Sequence, residues 1–157
     1  MVRPNAVIEI ARCHPRHLRR ILRIERASFP GEPYTRAIFL ELWRECGEFF
    51  FIVKIRRRIA GYIATRLRDG HAEVISIAVD PAYRGAGAGA AMLEHTLEHL
   101  AAAGARSVEL MVREDNEAAI RLYHRFGFRR AGRYAGFYWD GEAGLRMRLA
   151  LDPQPKG

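Results

Sequence analysis

Residues 79–89 read Val-Asp-Pro-Ala-Tyr-Arg-Gly-Ala-Gly-Ala-Gly, a glycine-rich turn between a predicted strand and a predicted helix. A mostly apolar run, typical of a strand buried on both faces, ends at Val79, and leucines at helical spacing follow the glycines. Glycine adopts positive φ and lets the backbone approach a ligand closely. The first N–H groups of a helix point along its axis, with the positive end of the helix dipole behind them. The segment therefore predicts a site for phosphate or pyrophosphate.

This glycine turn differs from the two best-known nucleotide-binding loops. A Walker loop requires Gly-Lys-Ser/Thr, and residues 79–89 contain no lysine. A dinucleotide-binding fingerprint follows the first strand of its unit, whereas this turn follows the fourth predicted strand. The spacing alone thus predicts an anion site and leaves its ligand open.

The apolar patterns on both sides of the turn predict alternating strands and helices. The predicted order is strand, two helices, three strands, helix, strand, helix and two strands. This order indicates an α/β fold, a mixed central sheet of about seven strands with four helices on both faces. Residues 1–151 are predicted to form a single domain, and residues 152–157, which contain two prolines, a frayed tail.

Composition excludes several classes of protein. The 157 residues are 49% hydrophobic and 28% charged, which is ordinary for a globular domain. Two cysteines exclude a disulfide framework, and the histidines lack metal-ligand spacing, so no metal is expected. No apolar run approaches the roughly 20 residues that span a bilayer, and the N-terminus lacks a signal-peptide pattern. We expect a reduced, cytoplasmic protein without a membrane partner.

The formal net charge of +8 favours anionic partners. The basic residues are nevertheless scattered, and a tight turn between strands would expose the arginine run at residues 56–58 without any ligand. No DNA-binding helix pair or RNA-binding signature is evident, so nucleic acid is not an expected partner. The sequence leaves monomer and homodimer open.

Two motifs together resemble the GNAT family of N-acetyltransferases. The pattern Arg84-x-x-Gly87-x-Gly89, preceded by Ile-Ala-Val-Asp-Pro at residues 77–81, resembles that family's acetyl-CoA motif. The segment at residues 116–128, which contains Asn116 and Tyr123, resembles its second signature. Residues 24–30 are similar to the first helix and loop. The resemblance covers nearly the whole chain and is nearest to the RimI-type branch, which acetylates the N-terminal alanine of a ribosomal protein.

The resemblance implies an enzyme that transfers an acetyl group from acetyl-CoA directly to an amine. The turn would hold the pyrophosphate through backbone N–H groups, and the end of the preceding strand would pair with the pantetheine. The implied cofactor-binding residues are Ile77, Ala78, Val79, Arg84, Gly85, Ala86, Gly87, Ala88, Gly89, Ala90 and Asn116. Tyr123 would protonate the departing CoA thiolate.

The base that deprotonates the acceptor amine has several candidates. RimI-type enzymes carry a glutamate where this chain has Met111, which cannot accept a proton. Glu73 has the spacing of the base glutamate in the histone-acetyltransferase branch, and burial in its strand would raise its pKa toward a useful range. The alternatives are Glu109, one pleat repeat from Met111, and Glu32, in the loop between the first two helices.

In this family two loops flank the acetyl end of the cofactor. The residues implied to hold the acceptor are Phe29, Pro30, Glu32, Tyr34 and Tyr138. Their aromatic character and the positive net charge favour a protein N-terminus over a polycationic aminoglycoside. We therefore predict a RimI-like Nα-acetyltransferase. A small-molecule or lysine acetyltransferase and a non-catalytic acyl-CoA-binding regulatory domain remain as alternatives.

Overall fold

The computed structural model describes residues 7–31 and 33–151. Its strands are β1 (Ile8–Arg12), β2 (Phe50–Ile55), β3 (Arg58–Arg68), β4 (His71–Val79), β5 (Ser107–Arg113), β6 (Arg129–Tyr134) and β7 (Gly144–Ala150). Its α-helices are α1 (Leu18–Ser28), α2 (Arg36–Cys46), α3 (Ala88–Ala102) and α4 (Glu117–Arg125). The order of strands and helices is the predicted one. The predicted frayed tail, residues 152–157, lies outside the described residues.

The strands form a seven-stranded sheet in the order β1-β2-β3-β4-β5-β7-β6. The β4 and β5 strands run parallel, with Glu73 opposite Glu109, whereas β5 and β7 run antiparallel. The sheet is therefore mixed, as predicted. Contacts divide the chain into two compact units. The first unit comprises the described residues up to Arg66 together with Ile75–His99. The second unit comprises Leu67–Val74 together with the described residues from Leu100 onward.

The core of the first unit is built on helical spacing in α1 and on a continuous apolar run in β2. Leu18, Ile21 and Ile24 are buried on one face of α1. All but one of the β2 side chains are buried. The ring of Phe39, from α2, meets that of Tyr62 edge-on, with centroids 5.4 Å apart. This unit therefore has an aromatic and aliphatic core that holds the first two helices.

The core of the second unit follows the period-two pattern of β5 and β7. Val108, Leu110 and Val112 are buried on β5, and Leu145 and Met147 are buried on β7. Glu109, Met111 and Arg113 alternate with the buried residues of β5, and Arg146 and Arg148 alternate with those of β7. Because successive side chains of a strand point to opposite faces, this pattern gives one apolar face.

The expectation that β4 is buried on both faces is wrong. Ala72, Val74 and Ala78 are buried, but Glu73 is exposed and Ile75 and Ser76 are half-buried. A run of apolar residues indicates that a strand lies inside a sheet. Whether each face of that strand is buried depends on which elements elsewhere in the chain pack against it.

Gly61 lies where β3 comes close to the end of β4. A methyl group on Gly61 would be 2.6 Å from the carbonyl oxygen of Ala78 and 3.1 Å from Met92 Cε. A backbone oxygen cannot rotate away, so we expect Gly61→Ala to lower the free energy of unfolding by about 1–3 kcal/mol. The matched control is Gly132→Ala, where the nearest atoms belong to a side chain at ordinary contact distance. Equal denaturant stability of the two variants would contradict this account.

Candidate active site

Polar contacts fix the start of the glycine turn. The Asp80 carboxylate accepts a hydrogen bond from the N–H of Ala82 at 3.0 Å. The backbone N–H of Asp80 donates to the carbonyl of Ala60 at 2.7 Å. Arg20, on α1, forms an ion pair with Asp80 and donates to the carbonyl of Ile59 at 3.1 Å. The turn therefore begins at a point held by α1 and β3.

The turn then adopts a conformation that requires glycine. Gly85 and Gly87 have φ of +82° and +83°, where side chains are strained. The N–H of Ala91 donates to the carbonyl of Gly87 at 3.0 Å, so the N–H groups of residues 88–90 precede the hydrogen-bond ladder of α3. Methyl groups on Gly85 and Gly87 would meet no described atom within 4 Å.

This arrangement fits an anionic group. The 15-residue helix α3 directs its first N–H groups and its positive end toward the turn, which is the arrangement that binds phosphates. The predicted phosphate-binding residues, 85–90, form the end of the turn and the first residues of this helix. The predicted pantetheine-binding residues, 77–79, are the last three of β4. The backbone therefore offers donors for a diphosphate directly beyond a strand end.

Tyr123, the predicted acid, is buried on α4 with 5% of its surface exposed. Its ring lies 5.8 Å from that of Phe128. Burial raises the pKa of the Tyr123 hydroxyl, and the neighbouring Tyr138 raises it further. The phenol therefore keeps its proton at neutral pH and is available as a donor.

Tyr138, predicted to contact the acceptor, is half-buried in the segment between β6 and β7. The guanidinium of Arg113 lies 5.0 Å from the centre of its ring. Arg113 also forms ion pairs with Asp140 and Asp115, which raise its pKa, so it is a fixed cation. Phe137 meets the ring of Tyr138 edge-on at 5.0 Å. The contact between Arg113 and Tyr138 was not predicted, because no spacing in the sequence brings the two residues together.

Asn116, predicted to contact the cofactor, caps the N-terminus of α4. Its side-chain oxygen accepts a hydrogen bond from the N–H of Ala119 at 3.2 Å. An N-cap satisfies one of the helix N–H groups that lack an intrahelical partner. The cap is a structural role that exists whether or not a cofactor binds.

Asn116→Ala is expected to lower the free energy of unfolding by about 1 kcal/mol, because the cap is lost. Asn116→Asp keeps an acceptor oxygen in place and serves as the control. Urea unfolding without any cofactor measures both. Unchanged stability of Asn116→Ala would contradict a capping role.

Glu73, the predicted base, is exposed, so the expectation that its strand buries it is wrong. It stands opposite Glu109 in the register of β4 and β5. Glu109 is half-buried and forms a long ion pair, 3.9 Å, with Arg148 on β7. Met111 and Phe137 both lie beside Gly144, where a methyl group would come within 2.8 Å of the Met111 side chain and 3.0 Å of the Phe137 ring. Whether Glu73 acts as the base stays a prediction.

The predicted acceptor residues between α1 and α2 differ in burial. Phe29 and Pro30 are exposed and Tyr34 is half-buried. Glu32, the third candidate base, lies outside the described residues. A residue without a predicted role, Glu25, accepts a hydrogen bond from the backbone N–H of Tyr34 at 3.0 Å. The burial of Glu25 was not predicted. The spacing of apolar residues identifies the buried face of a helix, but it does not show that a polar residue also lies on that face.

The two cysteines do not supply a nucleophile. Both thiols are buried, and burial raises the pKa of Cys13 and of Cys46 to about 12. They are therefore protonated at neutral pH. In residues 7–31 and 33–151 no group of three or more His, Cys, Asp or Glu side chains could hold a metal ion. No helix in those ranges is long and apolar enough to cross a membrane.

Comparison with known proteins gives matches in sequence and in structure. Residues 15–128 match the family model for the Acetyltransferase (GNAT) family. The chain is similar to an N-alpha-acetyltransferase of Sulfolobus acidocaldarius, with 32% identity over 146 residues that cover 83% of this chain and 85% of the relative. Both chains are thus matched over most of their length.

Two crystal structures share the fold. That of Ard1 from Thermoplasma volcanium superimposes with a TM-score of 0.87 at 29% identity, covering 92% of this chain and 98% of that one. That of the ribosomal-protein-S18-alanine N-acetyltransferase from Escherichia coli gives a TM-score of 0.85 at 28% identity, covering 96% and 98%.

Proposed function

This chain belongs to the GNAT family of acetyltransferases, and on that premise we propose that it acetylates the α-amino group of protein N-termini with acetyl-CoA. The observation that carries the proposal is the similarity to an N-alpha-acetyltransferase over 83% of the chain. The likeness to the bacterial ribosomal-protein-alanine enzyme supports the same acceptor class. The two free cysteines suit the reducing cytoplasm, where we place the reaction.

The glycine turn fits the cofactor. Positive φ at Gly85 and Gly87 and the first N–H groups of α3 suit a diphosphate. The backbone of residues 77–79 suits the amide-bearing arm of the cofactor, which would pair with it as an added strand does. Acetyl-CoA, when bound, supplies an activated acetyl thioester that a neutral amine attacks and whose thiolate departs. In this assignment Arg84 and Asn116 are further cofactor contacts.

Two side chains are assigned to proton transfer. The α-ammonium group, with a solution pKa of roughly 7.7–8.0, must lose a proton before its nitrogen can attack. We assign this proton to Glu73, which takes it directly or through one water molecule. Tyr123 holds a proton at its hydroxyl oxygen, and we assign that proton to the leaving sulfur. The second proton, which the attacking nitrogen loses as the amide forms, restores the Tyr123 hydroxyl directly or through water.

The acceptor contacts are assigned to aromatic residues. Phe29 is exposed beside Pro30, and Tyr34 and Tyr138 are half-buried. Aromatic rings bind peptide backbone and side chains with little loss of conformational entropy. A weaker base is enough to deprotonate an α-amino group than to deprotonate a lysine side chain, whose ammonium group has a pKa of about 10.4. These features favour a peptide N-terminus over a lysine side chain.

A matched peptide panel tests the proposal. One set has free N-termini and no lysine, a second has blocked N-termini and one lysine, and small amines form the third. Release of CoA thiol from acetyl-CoA measures turnover. We expect turnover on the first set alone. Turnover confined to the lysine peptides or to the small amines would overturn the acceptor class, and acetyl-CoA binding without turnover on any set would favour a non-catalytic domain.

A further inference from the structure

Glu25 is a carboxyl group in the core of the first unit. It lies on the buried face of α1 with only 2% of its surface exposed. One carboxylate oxygen accepts the backbone N–H of Tyr34 at 3.0 Å, and the other accepts the hydroxyl of Tyr62. Burying a carboxylate is strongly unfavourable unless hydrogen bonds satisfy it. These two bonds are therefore a condition of the fold at this point.

The same residue holds both ends of the loop between α1 and α2. The N–H of Phe29 donates to the backbone carbonyl of Glu25 at 2.8 Å, where α1 ends. The N–H of Tyr34 donates to the Glu25 side chain, where the loop leads into α2. The ring of Tyr34 also packs edge-on against Phe39 at 5.8 Å. Phe29 and Tyr34 are thus tied to one residue through its backbone and its side chain.

A hydrogen-bond chain extends from Glu25 to β4. Tyr62, on β3, is fully buried, and its hydroxyl oxygen lies 2.8 Å from Oγ of Ser76. Because the Tyr62 proton is given to the carboxylate, Ser76 is the donor in this second bond. Ser76 directly precedes Ile77, the first of the residues assigned to the cofactor. This series of hydrogen bonds therefore links the end of the loop at Tyr34 with β4, the strand that leads to the glycine turn.

We propose that Glu25 is a positioning residue that clamps the ends of the acceptor loop, at Phe29 and Tyr34, to β4 through Tyr62 and Ser76. The clamp fixes the backbone of Tyr34, so it sets the affinity for the acceptor rather than the chemical step. The proposal rests on the proposed function only in assigning this loop to the acceptor. The clamp itself is a property of the first unit.

Two nearly isosteric substitutions test the clamp. In Glu25→Gln the amide offers one acceptor oxygen and one donor nitrogen, so it cannot accept from both Tyr34 and Tyr62. Tyr62→Phe keeps the buried ring and removes the hydroxyl that joins Glu25 to Ser76. The control is Glu41→Gln, an exposed glutamate on α2. If Glu25→Gln does not fold, Tyr62→Phe decides alone.

The first readout is kinetic. We expect Glu25→Gln and Tyr62→Phe each to raise the KM for the acceptor about tenfold, with kcat and the Kd of acetyl-CoA within about twofold of wild type. The double variant is expected to be no worse than the worse single variant, because both break one network. An unchanged acceptor KM in folded variants, or a parallel loss of kcat and cofactor affinity, would overturn the proposal.

The second readout does not depend on activity. Hydrogen exchange at the Tyr34 amide is expected to be about tenfold faster in Glu25→Gln and unchanged in Glu41→Gln. If the wild-type protein acetylates no N-terminal peptide, the proposed function fails, and the Tyr34 exchange rate alone decides the clamp. Unchanged exchange in Glu25→Gln would overturn it.

Discussion

Tyr123→Phe is expected to lower kcat by about 10²–10⁴-fold, the range that a positioned general acid contributes. The substitution removes one oxygen atom and keeps the ring against Phe128, so the fold and the Kd of acetyl-CoA should stay close to wild type. Single-turnover thiol release and direct binding of acetyl-CoA separate the two effects. Tyr134→Phe, at an exposed tyrosine on β6, is the matched control and should leave kcat within about twofold.

The pH dependence of the wild-type enzyme tests the same assignment. Because burial raises the pKa of Tyr123 above the ordinary value, the hydroxyl remains protonated up to and beyond about pH 10. Deprotonation of Tyr123 should therefore cause no decrease in the kcat of the wild-type enzyme between pH 7 and about pH 10. A descending limb with an apparent pKa near 8 that disappears in Tyr123→Phe would contradict the raised pKa. Unchanged kcat in Tyr123→Phe would remove the acid from the mechanism.

The sequence predicted the elements best where local pattern and tertiary contact agree. The predicted strand between the third and fourth helices is present as β5, because turn residues flank a short apolar run on both sides. The glycine turn was also predicted, since positive φ at Gly85 and Gly87 is a demand of the backbone itself. Such features need no knowledge of what packs against them, and one sequence is enough to place them.

The environment of polar side chains was harder to predict. Glu73 and Glu25 both adjoin apolar residues, yet Glu73 is exposed on β4 and Glu25 is buried on α1. The difference arises from partners far away in sequence. Tyr62 reaches Glu25 from β3, and only the assembled unit brings the two together. The pKa of a carboxyl group depends on such partners, so periodicity could not rank the candidate bases.

Glu73→Gln is expected to lower kcat/KM for an N-terminal peptide by about 10²-fold at pH 7, because the acceptor ammonium loses its base. The exposure of Glu73 suits transfer through a water molecule rather than into a sealed site. Glu109→Gln is a closely matched control, since Glu109 stands opposite Glu73 on the neighbouring strand and carries the same charge. We expect it to stay within about threefold of wild type.

Comparing these two variants separates a base from a general field effect. Both remove one negative charge at the same level of the sheet, so a purely electrostatic contribution would lower their rates alike. A base acts only on the protonated amine. The wild-type to Glu73→Gln rate ratio should therefore be largest below the amine pKa of about 7.7–8.0 and should fall toward one above it, where the acceptor is already neutral. A ratio independent of pH, or equal losses in both variants, would exclude Glu73 as the base.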